Sequence, residues 1–122
     1  MKTGLYLMAT LGLVAAAALP VQAEDVWTGG VGIAEREQAP NYNTRIECFV
    51  ASGSYLAGID YTLYNASGQP VAGGQTDGPW LRVQLPAGDY RIEAIRPDTG
   101  DAQSAHFTVA GGVTSVGLRF PD

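Results

Sequence analysis

Hydrophobic and polar positions alternate along the chain from residue 44 to its end. In the first of these runs, Ile46, Cys48 and Val50 fall on one side of an extended strand, and Arg45 and Glu47 fall on the other. Such runs recur every eight to twelve residues or so, and turn residues separate them. The pattern predicts an all-β fold: a two-sheet antiparallel sandwich of about seven strands. The predicted strands cover about 44–51, 56–65, 71–76, 80–85, 90–96, 103–109 and 113–120.

The glycines and prolines between these runs predict the turns. Residues 65–70 form a turn in which Gly68 can take a positive φ. Gly73 and Gly74 weaken the run at 71–76, which indicates an edge strand or a bulge. The last two strands are predicted to form a hairpin around residues 110–112. No helical period competes with this pattern after residue 44.

Residues 24–43 follow a different pattern. The stretch from Trp27 to Gly32 is too rich in glycine for a regular element, so it is predicted to be a flexible lead-in. Residues 33–39 contain good helix formers and predict one or two turns of helix, which Pro40 ends. These glycines do not form a phosphate loop, because no strand precedes them and no lysine follows them.

Residues 1–23 have the layout of a secretory signal peptide. Lys2 precedes an uncharged apolar run from Leu5 to Leu19, and small residues around Ala23 suit a signal peptidase. The alternative is a retained membrane anchor, but the run of 15 residues is shorter than the roughly 20 that span a bilayer. We therefore expect residues 24–122 to be exported to the periplasm, with no stable membrane insertion after cleavage.

The charge of the exported part argues against polyanionic partners. The chain has seven Lys and Arg, twelve Asp and Glu, and a net charge of −5. Loss of Lys2 with the signal leaves six arginines and no lysine, for a net charge of −6. Nucleic acid is not expected as a partner, because its binding relies on cations that displace phosphate counterions. Anionic lipid is a poor partner for the same reason.

The chain has one cysteine and one histidine, so no internal disulfide can form and a His/Cys metal site is not expected. We expect Cys48 to be a small buried side chain; a reactive thiol or an intermolecular disulfide are the alternatives. His106 is expected on the outward face of its strand. No cofactor is predicted.

Three motifs in fixed order give a resemblance to a known family. They are Gly68-Gln69-Pro70-Val71, Thr76-Asp77-Gly78 and Leu85-Pro86-Ala87-Gly88-Asp89-Tyr90. Residues 44–120 resemble the carboxypeptidase regulatory-like domains of the transthyretin (prealbumin-like) β-sandwich group. The whole exported chain resembles small proteobacterial proteins of that group, which carry similar lead-in segments: Thr28-Gly29-Gly30-Val31-Gly32, Glu35-Arg36, Tyr42-Asn43 and Tyr55-Leu56-Ala57.

The resemblance implies an Ig-like or prealbumin-like sandwich without catalytic activity. The related hydroxyisourate hydrolases use a His-rich site and a Tyr-Arg-Gly-Ser-type tail, whereas this chain has one histidine and ends in Phe120-Pro121-Asp122. A Ser104/His106 pair, or the carboxylate pairs Glu35/Glu37 and Asp98/Asp101, are the only catalytic alternatives that the residues offer. We expect no enzyme.

The expected function is therefore binding. The leading hypothesis is an accessory module that contacts another envelope protein through an edge strand and aromatic anchors. The rival hypothesis is a carbohydrate-binding module, which needs two or three coplanar aromatic rings on one face; Trp27, Trp80 and Tyr64 are the candidates. Of the anchors, Tyr64 is expected to be the most exposed. The predicted binding residues are Tyr42, Tyr55, Tyr64 and Trp80.

Overall fold

A computed structural model describes residues 25–122. The predicted signal peptide, residues 1–23, lies outside the described residues. The described chain contains one short helix and eight strands. They are β1 (Asp25–Gly29), α1 (Ile33–Glu37), β2 (Thr44–Val50), β3 (Asp60–Asn65), β4 (Pro70–Gln75), β5 (Trp80–Gln84), β6 (Gly88–Ile95), β7 (Ala102–Val109) and β8 (Thr114–Phe120).

The strands form two four-stranded sheets, in the orders β1-β5-β2-β8 and β4-β3-β6-β7. We call them sheet A and sheet B. The predicted all-β, two-sheet architecture is confirmed. Two details differ from the prediction: there are eight strands instead of about seven, and β2 pairs with β8 in parallel. All other pairings of these strands are antiparallel.

The predicted hairpin between the last two strands is wrong. β7 pairs with β6 in sheet B, whereas β8 pairs with β2 in sheet A, so the chain changes sheets at residues 110–113. Each strand buries its apolar face better against its own sheet than it could in an isolated two-stranded hairpin. Turn residues in the sequence show that the chain reverses direction, but they do not show which strand the next strand pairs with.

The prediction of an irregular segment from Trp27 to Gly32 is wrong for its first part. Residues 25–29 form β1, which pairs antiparallel with β5 and places Trp27 opposite Arg82. Val26, Trp27 and Thr28 are residue types that strands favour, and cross-strand hydrogen bonds with β5 outweigh the effect of the glycines that follow. β1 ends at Gly29, and both Gly29 and the following Gly30 are buried.

The inward faces of the strands make one core, as the alternation predicts. Ile46, Leu63, Val83, Ile92 and Phe120 have no exposed surface at all. Cys48 belongs to this core and is 2% exposed, so the interpretation of Cys48 as a buried hydrophobe is confirmed. The remaining core side chains are Val50, Ile59, Tyr61, Val71, Leu81, Leu85, Tyr90, Ala94, Val109 and Leu118.

The weak strand at 71–76 is an edge strand with an irregularity, as predicted. β4 lies at the end of sheet B, and its register with β3 shifts between Leu63 and Tyr64. The turn before it is closed by Asn65, whose Oδ1 accepts hydrogen bonds from the amides of Ser67 and Gln69.

None of the helices in residues 25–122 is long and apolar enough to cross a membrane.

Candidate functional site

Trp80, the first residue of β5, is the centre of a polar and aromatic cluster on the outer face of sheet A. The register places it between Gly29 of β1 and Glu47 of β2. Its indole Nε1–H donates a hydrogen bond of 2.9 Å to Glu47 Oε2. The side chain lies on the outer face of the sheet because Leu81 and Val83 point inward.

Two arginines lie against the Trp80 ring. The guanidinium carbon of Arg82 is 4.2 Å from the ring centroid, and that of Arg36 is 5.0 Å from it. Arg36 also lies 4.9 Å from the centroid of Tyr55. These distances are within the range of cation–π contacts. Arg36 therefore joins α1 to both aromatic side chains.

The chain before α1 is held against this cluster by its own polar groups. Arg36 Nε donates to the carbonyl oxygen of Gly30 at 2.9 Å. Glu35 Oε1 accepts from the amides of Gly30, at 2.9 Å, and Val31, at 3.4 Å. Gly30 has φ of +96°, and a Cβ there would lie 2.8 Å from Trp80 Cγ. A glycine is therefore required where the backbone passes over the indole.

A groove of about 240 Å³ opens beside Arg36, between the start of α1 and the segment 55–57. Large apolar side chains around it are exposed: Val31 at 60%, Tyr55 at 53% and, at the start of α1, Ile33 at 77%. We call this surface, with Arg36 at its centre, the Tyr55 groove. Its lining residues are Gly30, Val31, Gly32, Arg36, Tyr55, Leu56, Ala57 and Pro79.

A second depression, of about 290 Å³, is lined by Trp80 and by residues of β2, β5 and β8. Arg45 of β2 and Arg82 of β5 are direct cross-strand partners there, and Ser115 of β8 is opposite Arg45. Gly117, opposite Glu47, also lines the depression, and the ring of Phe49 packs close to its Cα. We call this surface the arginine cleft.

Arg82 is unusual for a charged side chain because only 9% of its surface is exposed. Burial lowers the pKa of the Arg82 guanidinium; the charge of Arg45 lowers it further, whereas Glu47 raises it. Among residues 25–122 the one ion pair joins Arg91 to Glu93, so no described carboxylate pairs with Arg45 or Arg82.

The structure brings two of the four predicted binding residues together. Tyr55 and Trp80 flank Arg36 on the sheet A side. Tyr64 lies in sheet B, partly covered by Arg91, whose guanidinium carbon is 4.3 Å from its ring centroid. Tyr42 precedes β2 and is half-buried. The expectation that Tyr64 is the most exposed anchor is wrong, because Arg91 is its register partner and stacks on it; Tyr55 is the exposed one.

The arginines of the cluster were missed by sequence reasoning. Alternation places Arg82 on the face opposite Leu81 and Val83, and Arg45 on the face opposite Ile46. It cannot show that these two faces belong to adjacent strands in one register. Arg36 stands in a predicted helix whose packing partner was equally unknown. A strand position alone gave no signal, because four of the six arginines lie in strands: Arg45, Arg82, Arg91 and Arg119.

The residues considered for catalysis do not assemble. His106 is exposed on β7, opposite Arg91 of β6, and Ser104 is exposed beside it. Asp101 accepts a hydrogen bond from its neighbour Thr99. Within residues 25–122, no three His, Cys, Asp or Glu side chains are grouped so that they could hold a metal ion.

The turn motifs hold the two sheets and β1 in place. Thr76 Oγ1 accepts from the amide of Ile59, and Asp77 exchanges hydrogen bonds with the Thr28 hydroxyl of β1. The Tyr90 hydroxyl donates to the carbonyl oxygen of Pro86 at 2.7 Å and closes the turn before β6.

The fold and this surface define a small two-sheet β-sandwich with an arginine–aromatic cluster on one outer face. The chain matches no model of a known protein family and no curated protein.

Proposed function

We propose that this protein is a non-catalytic binding module that contacts another protein of the cell envelope through the Tyr55 groove. The carrying observation is the exposure of Tyr55, Val31 and Ile33 around one groove in an otherwise acidic chain. An exposed apolar patch with a polar rim is typical of protein interfaces, and tyrosine beside arginine is a frequent energetic centre.

The groove is preorganised for such a contact. Arg36 is fixed by its bond to the Gly30 carbonyl and stacks on Tyr55, so both side chains have already lost part of their rotamer freedom. Binding then costs less conformational entropy than ordering free side chains would. The groove contains the positive charge of Arg36, which favours a partner that presents an acidic group there.

Strand β7 supports the same function. It lies at the end of sheet B and has eight residues with no proline and no Lys, Arg, Asp or Glu. Natural edge strands commonly carry such residues to prevent strand addition. An extended segment of a partner could therefore pair along β7. This contact would be separate from the Tyr55 groove, because β7 belongs to sheet B and the groove lies on the side of sheet A.

The geometry does not favour the alternative of a carbohydrate-binding module. Trp27 and Trp80 belong to sheet A, whereas Tyr64 belongs to sheet B, so the three rings do not form one platform. Two arginines lie against Trp80, which reduces the ring surface left for a sugar.

We assign the sandwich by resemblance to the carboxypeptidase regulatory-like domains, with residues 24–43 as its lead-in. The turn chemistry that suggested this resemblance has a defined role in the fold, through Thr76, Asp77 and Tyr90. The lack of catalytic activity in that class agrees with the exposed, isolated position of His106.

The groove is tested by photo-crosslinking in the native envelope. A photoreactive residue at Ala57, in the groove wall, is expected to give one dominant crosslinked protein. The double substitution Val31→Ser with Tyr55→Ser should reduce its yield about tenfold, because two interface side chains together contribute more than about 1.4 kcal/mol. The fold should survive because both side chains are exposed.

A photoreactive residue at Gly111, in the loop between β7 and β8, serves as the positional control. Equal products from both positions, or an unchanged yield in the double variant with the protein still folded, would contradict the proposal. A second probe at Ser104 reports on β7 independently of the groove.

Export is tested on the protein as the cell makes it. We expect intact-mass measurement of the native protein to give a chain that begins at Glu24, recovered in the periplasmic fraction. The matched variant, Leu13→Asp, places a charge within the apolar run and should leave the uncleaved chain inside the cell. Recovery of the full chain from Met1 in the membrane fraction would support the anchor instead.

A further inference from the structure

We propose that the arginine cleft is a binding site for an oxyanion, the phosphate or carboxylate group of a small ligand. The inference is independent of the Tyr55 groove, because the two depressions share no lining residue. It rests on an arginine that is only 9% exposed, a second arginine directly opposite it, and an open depression that both arginines line.

The first step concerns Arg82. A buried charge is costly unless it is paired and hydrogen-bonded. Among residues 25–122, its guanidinium makes no ion pair and no side-chain hydrogen bond; its contact is with the face of Trp80, at 4.2 Å. Its five N–H donors are therefore left for a ligand, and their planar arrangement matches the oxygens of a carboxylate or phosphate.

The second step concerns Arg45. Like charges that face each other across two strands destabilise a sheet, yet β2 and β5 place Arg45 directly opposite Arg82. The nearest acidic group of the cleft, Glu47, accepts the indole N–H of Trp80 and does not form an ion pair with either arginine. An oxyanion between the two guanidinium groups would remove this repulsion.

The third step concerns the shape of the cleft. On β8, Ser115 stands opposite Arg45 and contributes a hydroxyl donor. Gly117 stands opposite Glu47, and the edge of the Phe49 ring lies 3.2 Å from the position that a Cβ would take there, so the glycine admits this ring beside the cleft. The depression of about 290 Å³ is larger than a bare ion requires. It therefore suits an oxyanion carried by a small molecule, with Trp80 forming one wall.

The test uses NMR titration of the folded protein with three probes at low salt: inorganic phosphate, glucuronate and glucose. We expect saturable shifts of the Arg45, Arg82 and Ser115 amides with phosphate or glucuronate, and none with glucose. The probe that binds shows which oxyanion the cleft accepts. Saturation by glucose at these amides, or no saturable shift with either anion, would overturn the proposal.

Arg45→Gln should weaken the anion about tenfold or more, because it removes a charge-assisted hydrogen bond. The matched control is Arg119→Gln, on the same sheet but outside the cleft, which changes the net charge equally. Equal weakening in both variants would indicate only a general charge effect and would refute a built site.

A second readout separates binding from structural support. If Arg45 serves a ligand, Arg45→Gln should leave the melting temperature without ligand unchanged or raise it, because the facing charges no longer repel. Phosphate or glucuronate should raise the melting temperature of the wild type but not of the variant. A lowered melting temperature in the absence of ligand would instead show that Arg45 stabilises the fold, and would count against the proposal.

Discussion

Replacing Gly78 by alanine is expected to destabilise the protein by about 2–3 kcal/mol, a typical cost of inserting a group into a packed site. Gly78 is buried in the turn between β4 and β5. A Cβ there would overlap the carbonyl oxygen and carbon of Gly29, the last residue of β1. Both obstacles are backbone atoms, so no side-chain rotation can relieve the overlap.

The turn cannot move away from β1 because it is bonded on both sides. The amide of Asp77 donates to the Thr28 hydroxyl, and the carbonyl oxygen of Pro79 accepts from the amide of Cys48. Alanine at position 78 must therefore displace either β1 or the β2–β5 contact. We expect β1 to yield, since it is a five-residue edge strand.

Urea unfolding measures this effect, and Gly111→Ala is the matched control. A Cβ at Gly111 meets nothing within 4 Å, and the backbone there does not need a positive φ. The control should change the free energy of unfolding by no more than about 0.5 kcal/mol. Equal effects of the two substitutions would show that the approach of the turn to β1 is not tight.

The free energy of unfolding is expected to fall steeply above pH 9. Burial, and then the neighbouring charge of Glu47, raise the pKa of the Cys48 thiol from 9.0 to about 12. Above pH 9 the unfolded chain loses this proton while the folded chain keeps it. The contribution of the thiol is therefore fully present below pH 9 and is lost as the pH rises toward 12, at about 1.4 kcal/mol per pH unit.

Two tyrosines act in the same direction at higher pH. Burial raises the pKa of Tyr61 and of Tyr90 above 10.0, so their contributions begin to decline only above pH 10. Both tyrosines are kept in a Cys48→Val variant, so the difference between the two proteins isolates the contribution of Cys48. The buried thiol should also react with alkylating reagents at pH 8 only as fast as the protein unfolds.

Urea unfolding at pH 8, 9, 9.5 and 10 checks the alkaline effect, with Cys48→Val as the comparison. Valine fills a similar volume and does not titrate. The free energy of unfolding of the variant should therefore fall less between pH 9 and 10 than that of the wild type, whatever the absolute stability of the variant. Parallel lines for the two proteins would contradict a buried, neutral thiol at position 48.

Much of the sandwich follows from local pattern. Alternation correctly assigns the inward positions Ile46, Leu63 and Ile92, and it places Cys48 among them. The glycines at 73 and 74 indicate an edge strand, and β4 is one. These predictions succeed because the face on which a side chain lies depends only on its neighbours along the strand.

The candidate site can be predicted from the sequence only in part. Tyr55 and Trp80 stand out in the sequence as aromatic residues near turns, and both belong to the cluster. Tyr64 stands out equally but lies on the other sheet beneath Arg91. Residue type alone cannot separate these cases, because exposure depends on the cross-strand neighbour.

The sequence by itself determined the all-β class, the inward face of nearly every strand and the turns between them. Only the tertiary structure decided that residues 25–29 form β1, that β7 and β8 enter different sheets, and that β8 runs parallel to β2. It alone brought Arg36, Arg45 and Arg82 around Trp80. The physical reason is that strand pairing and register depend on contacts between residues far apart in sequence, whereas periodicity reports only the local environment of each position.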